Sequence, residues 1–405
     1  MNKLGLIIFA GILIRLFLAA STFHPDIQAF NLAGKVVGEG NILNLYDYLS
    51  GLSSDNPLKN IAVFNYPPAI YFLFGTYHFI VTSIFNIPLL NEYILDLPSN
   101  YGNILFNLHL LFLKLPYLFF DLGVGVLLYK LFGSKKEKLL AFSLWIFNPI
   151  NLYATYMMGQ FDIIPTFFMV AAIYYIVKEK LYLASLLLGF GIAFKIFPIF
   201  LLVPLLVITK GINKKIMVGI IALVPYLLSI LPYLSSEGFK NTALFANQSS
   251  KSLYASIPVS GGESILLFPT FLIFFYLIIW KKGIGKIWST NLNILLLFFI
   301  FTHFHPQWLI WLTPFLIINL VKRNFENILA VGLLFISYIG MLLFFDSSLT
   351  MGIFAPIFYD LKTMPDIWTL INIKMDYNFS RSLLQSIFVS AAIYLIYQTT
   401  QKEHV

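Results

Sequence analysis

The chain has 405 residues, 59% of them hydrophobic and 11% charged, with 42 Phe and a mean hydropathy of +0.84. So little polar surface excludes a water-soluble domain of this length and makes lipid the expected solvent. The net charge is +8 and no nucleic-acid partner is expected; the absence of Cys rules out disulfides and thiolate metal sites.

Apolar runs of membrane-crossing length predict spans near 4–21, 115–132, 139–156, 161–177, 181–195, 197–209, 216–234, 264–280, 288–303, 307–321, 327–345 and 383–399. Lipid leaves helices as the one way to satisfy the backbone of such runs. The expected fold is therefore an all-α polytopic membrane protein of about 12–13 transmembrane helices. The first run reads as a retained span and not a cleaved leader, because Arg15 lies deep within it and no cleavage triplet follows. The run "YPPAIYFLFGTYHFIVTSIF", Tyr66 to Phe85, is long enough to cross, but crossing would strand the acidic stretch after it inside. It is read as re-entrant or lying in the outer leaflet, the alternative being a span paired with a hidden one at 104–113.

Orientation follows from Lys and Arg, which collect in cytoplasmic connections near span ends. With the N-terminus inside, the connections at 130–138, 178–180, 210–215, 281–286 and 322–323, with the two termini, hold well over half of the 26 basic residues. Both termini are then cytoplasmic, and the outer loops are 22–65, 86–113, 235–262 and 346–382. A membrane protein that spends its polar residues on one face is expected to work there.

The residues that gather on that face suggest what the work is. The first outer loop, "STFHPDIQAF", carries Asp26 ahead of a segment with helical apolar spacing. A helix cap is one role for it and a general base the other. "YMMGQFDIIPTFF" makes Gly159, Gln160, Phe161 and Asp162 a tight turn between two spans, with Asp162 either capping the next helix or serving a site. Lys195, in "GIAFKIFPIF", ends a span, where its ammonium could reach the headgroups or meet a substrate. "FFIFTHFHPQWLIWLTP" brings His303, His305 and Gln307 to another outer turn before a helix that Pro306 begins. Two His at this spacing are weak evidence for a metal, so a divalent ion is possible but not indicated. Trp308 and Trp311 would suit an interfacial aromatic belt. Lys114 and Asp121 share a helix face and read as ion-pair partners of other spans, with Arg15 a candidate for Asp121.

One carboxylate as base, cations or helix N-termini for a phosphate, and aromatic faces for sugar rings are the parts needed to transfer a sugar from a lipid phosphate to a hydroxyl. At these residues the chain resembles the GT-C glycosyltransferases, in particular prokaryotic polyprenyl-phosphate-dependent mannosyltransferases related to those of glycosylphosphatidylinositol assembly. The resemblance rests on Asp26 in the first outer loop, "NYPP", "LKLPYLFFD", "FNPINLYATYMMGQFD", "GIAFKIFPIFLLVPLL" and "HFHPQWLIWLTP", in that order. It implies a GT-C-like bundle whose first outer loop carries juxtamembrane helices, with Asp26 as catalytic base. It implies substrate-binding roles for Tyr66, Gln160, Asp162, Lys195, His303, His305 and Gln307. Residues 1–234 would form the catalytic module and 235–405 a C-terminal region on the acceptor or lipid side. The partners implied are a polyprenyl-phosphate-linked sugar donor, a lipid or glycan acceptor and the bilayer, with hexose transfer by inversion and no cofactor. The chain lacks a second acidic residue beside Asp26, where some relatives carry a pair. The competing readings are a lipid-linked sugar flippase or transporter, against which no repeat is visible, and a scaffold subunit.

Overall fold

The computed structural model describes residues 3–49, 51–56, 58, 64–85, 97–245, 250–302 and 305–401. The chain is an all-α polytopic membrane protein. Helices account for nearly all of its regular structure; among the described residues the sheet is one small hairpin, β1 (Ser256–Pro258) paired antiparallel with β2 (Ser264–Leu266). The outward face of α1 (Lys3–Ser21) is apolar, exposing Leu6, Phe9, Leu13 and Phe17. Such a face belongs in hydrocarbon, where it costs nothing. Among the described residues five helices are long and apolar enough to cross a membrane: α1, Pro68–Phe85, Ile104–Leu131, Ile212–Tyr233 and Tyr377–Gln401.

In chain order α1 is followed by α2 (Ile27–Gly38), α3 (Pro68–Phe85), α4 (Ile104–Leu131) and α5 (Lys135–Ile146). Next come α6 (Ile163–Val177), α7 (Leu181–Phe194), α8 (Leu202–Ile208) and α9 (Ile212–Ile230). The last five are α10 (Leu267–Lys282), α11 (Ile287–Phe301), α12 (Thr313–Lys322), α13 (Ile328–Leu342) and α14 (Tyr377–Gln401). Two helix starts, those of α4 and α5, carry ordinary side-chain caps. Ser134 and Glu137 form a reciprocal capping box at α5, and Asn103 accepts from the Leu105 N–H at α4.

The two ends of the bundle are chemically distinct. At one end the basic connections come together: Lys322 lies over Phe132 at 5.0 Å, Lys215 over Trp280 at 4.7 Å, and Arg323 donates to the Gln398 carbonyl at 3.2 Å. The opposite end, called here the site end, gathers the long loops. There the Phe23 N–H donates to the Ile353 carbonyl at 2.9 Å and the Tyr153 hydroxyl to the Leu349 carbonyl at 2.6 Å.

Three sequence expectations change. The stretch 104–113, assigned to an outer loop, is the first part of α4, which continues to Leu131 through Pro116. Proline removes the N–H that would bond the carbonyl four residues back. The Phe112 carbonyl is instead satisfied by the Tyr77 hydroxyl at 2.8 Å. The same repair recurs at Pro204, where the Tyr276 hydroxyl donates to the Phe200 carbonyl at 2.7 Å. The run at 139–156 is not one helix either. It breaks at Asn148–Pro149, whose Asn148 side chain caps a new turn, and winds into a wide π-helical segment at Leu152–Met157. Finally, Lys114 makes no ion pair among the described residues. Its buried ammonium donates to the Ala19 and Thr22 carbonyls, at 3.1 and 2.7 Å, and so closes the C-terminal end of α1.

Helix α3 is long enough to cross, yet both of its ends lie at the site end. Tyr66, just before it, packs on Phe161 of the turn after the π-helical segment; Phe85, its last residue, lies 6.0 Å from Phe112. Nearby, Asn107 donates to the Ala20 carbonyl at the end of α1. The helix thus runs along the bundle end against α2. The two approach closely because Gly34 faces His78 and Gly75 faces Val37; a Cβ at either glycine would come within 2.6 Å of these neighbours.

The interior is pinned by one polar cluster. Arg15 and Asp121 are fully buried, with Arg15 Nε 2.5 Å from Asp121 Oδ2. The carboxylate also accepts from Trp145 Nε1 at 2.8 Å, Asn151 Nδ2 at 2.7 Å and the Tyr156 hydroxyl at 2.7 Å, while Arg15 Nη1 donates to the Ile146 carbonyl at 2.8 Å. Removing one partner of a buried pair strands the other charge, at a cost of about 3–5 kcal/mol, whereas replacing both with apolar residues of similar volume is often neutral. Asp121→Ala is therefore expected to lower the unfolding temperature of the purified protein sharply, and Arg15→Met with Asp121→Leu to recover most of the loss. Equal melting of Asp121→Ala and wild type would show that the pair carries no such weight.

Candidate functional site

The π-helical segment ends at Met158, and the chain then reverses at Gly159, whose φ of +67° is a conformation that favours glycine. Its carbonyl accepts from the Tyr117 hydroxyl at 2.7 Å, and a Cβ would meet Ile27 and Lys114 at 3.1 and 3.2 Å. This turn aims Gln160 and Asp162 to either side. Gln160 Nε2 donates to Asp26 Oδ2 at 2.6 Å, and Asp162 Oδ1 accepts from Lys195 Nζ at 2.7 Å and from Trp311 Nε1 at 2.6 Å. Residues far apart in sequence therefore meet within one chain of contacts at the site end.

Both aspartates occupy helix N-cap positions, but neither side chain caps its helix. Asp162 is buried and committed to Lys195 and Trp311, with its second oxygen unpartnered among the described residues. Asp26 differs in the property that matters for proton transfer. Its side chain is 42% exposed, and Gln160, itself fully buried, holds only one of its oxygens. His24 flanks it, accepting the Asp26 N–H at Nδ1 at 3.3 Å. Burial lowers the His24 pKa, which favours the neutral ring with its proton on Nε2.

Lys195 does not reach out to headgroups. Its ammonium lies over four rings, those of Phe161 at 5.1 Å, Trp311 at 5.2 Å, Tyr66 at 5.5 Å and Trp308 at 5.6 Å. Cation–π attraction of this kind gains as water is excluded. A cavity of about 160 Å³ opens beside this cage, lined by Asn65, Tyr66, Lys195, Phe197, Trp308 and Trp311 among others.

The two tryptophans are the main departure from the sequence expectation of an interfacial belt. Residues Pro306–Trp311 wind as a tight helix of about three residues per turn, which eclipses positions three apart. Trp308 and Trp311 consequently stack on one side, 5.2 Å apart and 19° from parallel, and both are buried. Trp311 also lies 3.7 Å from the Phe197 ring, nearly parallel to it. Gln307 is buried beside them with its carbonyl oxygen unpartnered among the described residues. His305 joins the same turn, in contact with Lys251 and 4.9 Å from the Trp308 ring, whereas His303 lies outside the described residues. Among the described residues no group of three or more potential metal ligands converges.

Of the residues singled out in the sequence, Asp26, Gln160, Asp162, Lys195 and Tyr66 are thus brought together, with Gln307 and His305 on the adjoining turn. Trp311, Tyr117, His24 and Lys251 were not anticipated. Trp311 had a visible signal, an indole three positions after another in a segment opened by proline, but its helical pitch was not legible.

A model of glycosyltransferase family 87 matches residues 117–301. The matched region contains Gln160, Asp162 and Lys195 and excludes Asp26 and Trp311. The chain is also similar to GPI mannosyltransferase 1 of Kluyveromyces lactis, 32% identical over 95 residues, which is 23% of this chain and 23% of that relative. It is similar to GPI mannosyltransferase 1 of Candida albicans at 29% identity over 119 residues, 28% of this chain and 29% of the relative. The match thus spans less than a third of either relative's length. These similarities agree with the resemblance to GT-C glycosyltransferases carried by the sequence motifs.

The Asp162–Lys195 contact is expected to behave as a coupled unit. In a double-mutant cycle on thermal or denaturant stability, Asp162→Asn and Lys195→Met should each destabilise, and their combination should fall short of additivity by about 1–3 kcal/mol. Strict additivity would mean that the two side chains are energetically independent.

Proposed function

We propose that this protein is a membrane glycosyltransferase that moves a hexose, mannose by resemblance, from a polyprenyl-phosphate donor to an acceptor hydroxyl on the outer face of the cell membrane. The observation that carries this reading is the pairing of an exposed, buttressed carboxylate, Asp26, with a buried cation in an aromatic cage, Lys195, through one short turn. The family 87 match over that turn and the similarity to two GPI mannosyltransferases support the same chemistry.

In this mechanism the free oxygen of Asp26 takes the proton of the acceptor hydroxyl. The acceptor oxygen attacks the anomeric carbon from the face opposite the phosphate, and the anomeric carbon–oxygen bond breaks with its electron pair leaving on the phosphate. One displacement inverts the anomeric configuration and needs one base. Lys195, at the wall of the 160 Å³ cavity, opposes the charge that grows on the departing phosphate, and the resemblance gives His303 and His305 a part in holding the same lipid phosphate or the acceptor. Tyr66, Trp308 and Trp311, which line the cavity, offer apolar surface to a sugar ring, and Gln160, Asp162 and Gln307 offer it hydrogen-bonding oxygens. The positive groups are protein-borne, so phosphate placement can do without a divalent ion. Residues 1–234 carry the base and most of the donor contacts in this scheme, and residues 235–405 complete the cage and face the acceptor. The concentration of Lys and Arg in the connections at one end supports cytoplasmic termini.

The test is transfer from a polyprenyl-phosphate sugar by the purified protein. A general base contributes on the order of 10²–10⁴ in rate, so Asp26→Asn should lose about that much while keeping the wild-type melting temperature. Lys195→Ala should impair donor use far more than Lys180→Ala at the basic end. Wild-type turnover by Asp26→Asn would remove the base; movement of lipid-linked sugar across vesicles without any transfer would replace the enzyme with a transporter.

A further inference from the structure

The site end holds a second hollow, of about 480 Å³, between the site-end turns of α11, α13 and α14. Its floor is apolar, made by Phe301, Met341, Leu342 and Phe345, and its rim is polar, made by the first turns of α14. Thr302 lines both this hollow and the cavity beside Lys195. The two are neighbours that share a wall.

Arg381 is the one charged residue among the described residues that line the hollow. Its guanidinium rests 5.1 Å over the Phe345 ring, and it forms no ion pair or hydrogen bond with the described residues around it. Asn378, one turn earlier, lines the same hollow, and Gln385, one turn later, donates to the Phe299 carbonyl at 3.4 Å. A half-buried guanidinium without a carboxylate is a standing electrostatic deficit. Its planar fork of donors matches the oxygens of a phosphate. Immediately outside the hollow, Ile339, Phe379 and Leu383 are exposed and apolar, a surface suited to lipid chains.

We infer that this hollow is a lipid-phosphate site, in which Arg381, with Asn378 and Gln385, holds the phosphate of a membrane lipid whose chains leave along α13 and α14. The site extends the glycosyltransferase reading and rests on it only for the choice of lipid. The same phosphate chemistry belongs to two sources, the polyprenyl-phosphate donor and an acceptor with a phospholipid headgroup. Thr302 is the wall shared with the Lys195 cavity, so a lipid phosphate held here adjoins the cage.

The experiment is equilibrium binding to the full-length protein in detergent micelles. The probes are a short-chain polyprenyl phosphate and phosphatidylglycerol, each against its phosphate-free counterpart, polyprenol and diacylglycerol. Wild type should prefer at least one phosphate-bearing lipid over its counterpart, and Arg381→Gln should lose about tenfold or more of that preference, with Arg381→Lys retaining part of it. Loss confined to polyprenyl phosphate assigns the hollow to the donor; loss confined to phosphatidylglycerol assigns it to a phospholipid acceptor. Binding of both lipids by Arg381→Gln as tightly as by wild type overturns the proposal, as does a wild type that ignores the phosphate. Should Arg381→Gln fail to fold, Asn378→Ala with Arg381→Lys gives the same comparison. Because the readout is binding, a protein that holds these lipids through Arg381 but transfers no sugar would sink the enzymatic reading and leave this site standing.

Discussion

The Arg15–Asp121 pair is the constraint from which the arrangement of the bundle follows. A guanidinium in the first helix and a carboxylate in the fourth cannot face hydrocarbon, so each helix must turn its charge toward the other. The remaining lone pairs of Asp121 recruit Trp145, Asn151 and Tyr156, which draws in α5 and the π-helical segment after it. Once these four elements are fixed, the end of α1 lies beside the Gly159 turn, and Lys114 fastens it there through the Ala19 and Thr22 carbonyls. The position of Asp26 relative to Gln160 is thus decided deep in the protein, well below the residues themselves.

At the site end the electrostatics are of another kind. Asp162 is buried, and the Lys195 ammonium is bounded by four rings with the cavity on its remaining side, so the ion pair is a fixed dipole and not a mobile surface contact. Asp26 retains water on one side. Two aspartates joined through the same turn therefore do different work, one as structure and field, the other as an accessible carboxylate, and the difference comes from burial alone.

Much of this was legible in the residue order. The hydrophobic runs announced a helical membrane protein, and charges stranded within them, Arg15 and Asp121, sought each other as intramembrane charges do. Asp26, Gln160, Asp162 and Lys195 stood out because each interrupts or borders an apolar run. The break at Asn148, the wide turn at Leu152–Met157 and the tight pitch at Pro306–Trp311 were not legible, since helical pitch is set by tertiary packing and leaves little local imprint. For the same reason Trp308 and Trp311 were placed at an interface instead of over Lys195. Lys114 was misjudged because a lysine can be satisfied by carbonyls, and nothing in its neighbours distinguishes that from an ion pair.

Pro116 interrupts the hydrogen-bond ladder of α4 and leaves the Phe112 carbonyl unclaimed, and the Tyr77 hydroxyl of α3 is what claims it. In water such a gap would be filled by solvent and would say nothing about neighbours. In hydrocarbon an unclaimed carbonyl is intolerable, so the gap acts as an address that only a hydroxyl on the right helix can read. The defect in one helix thereby specifies where another must lodge, and a single imino acid encodes a piece of tertiary structure by what it omits.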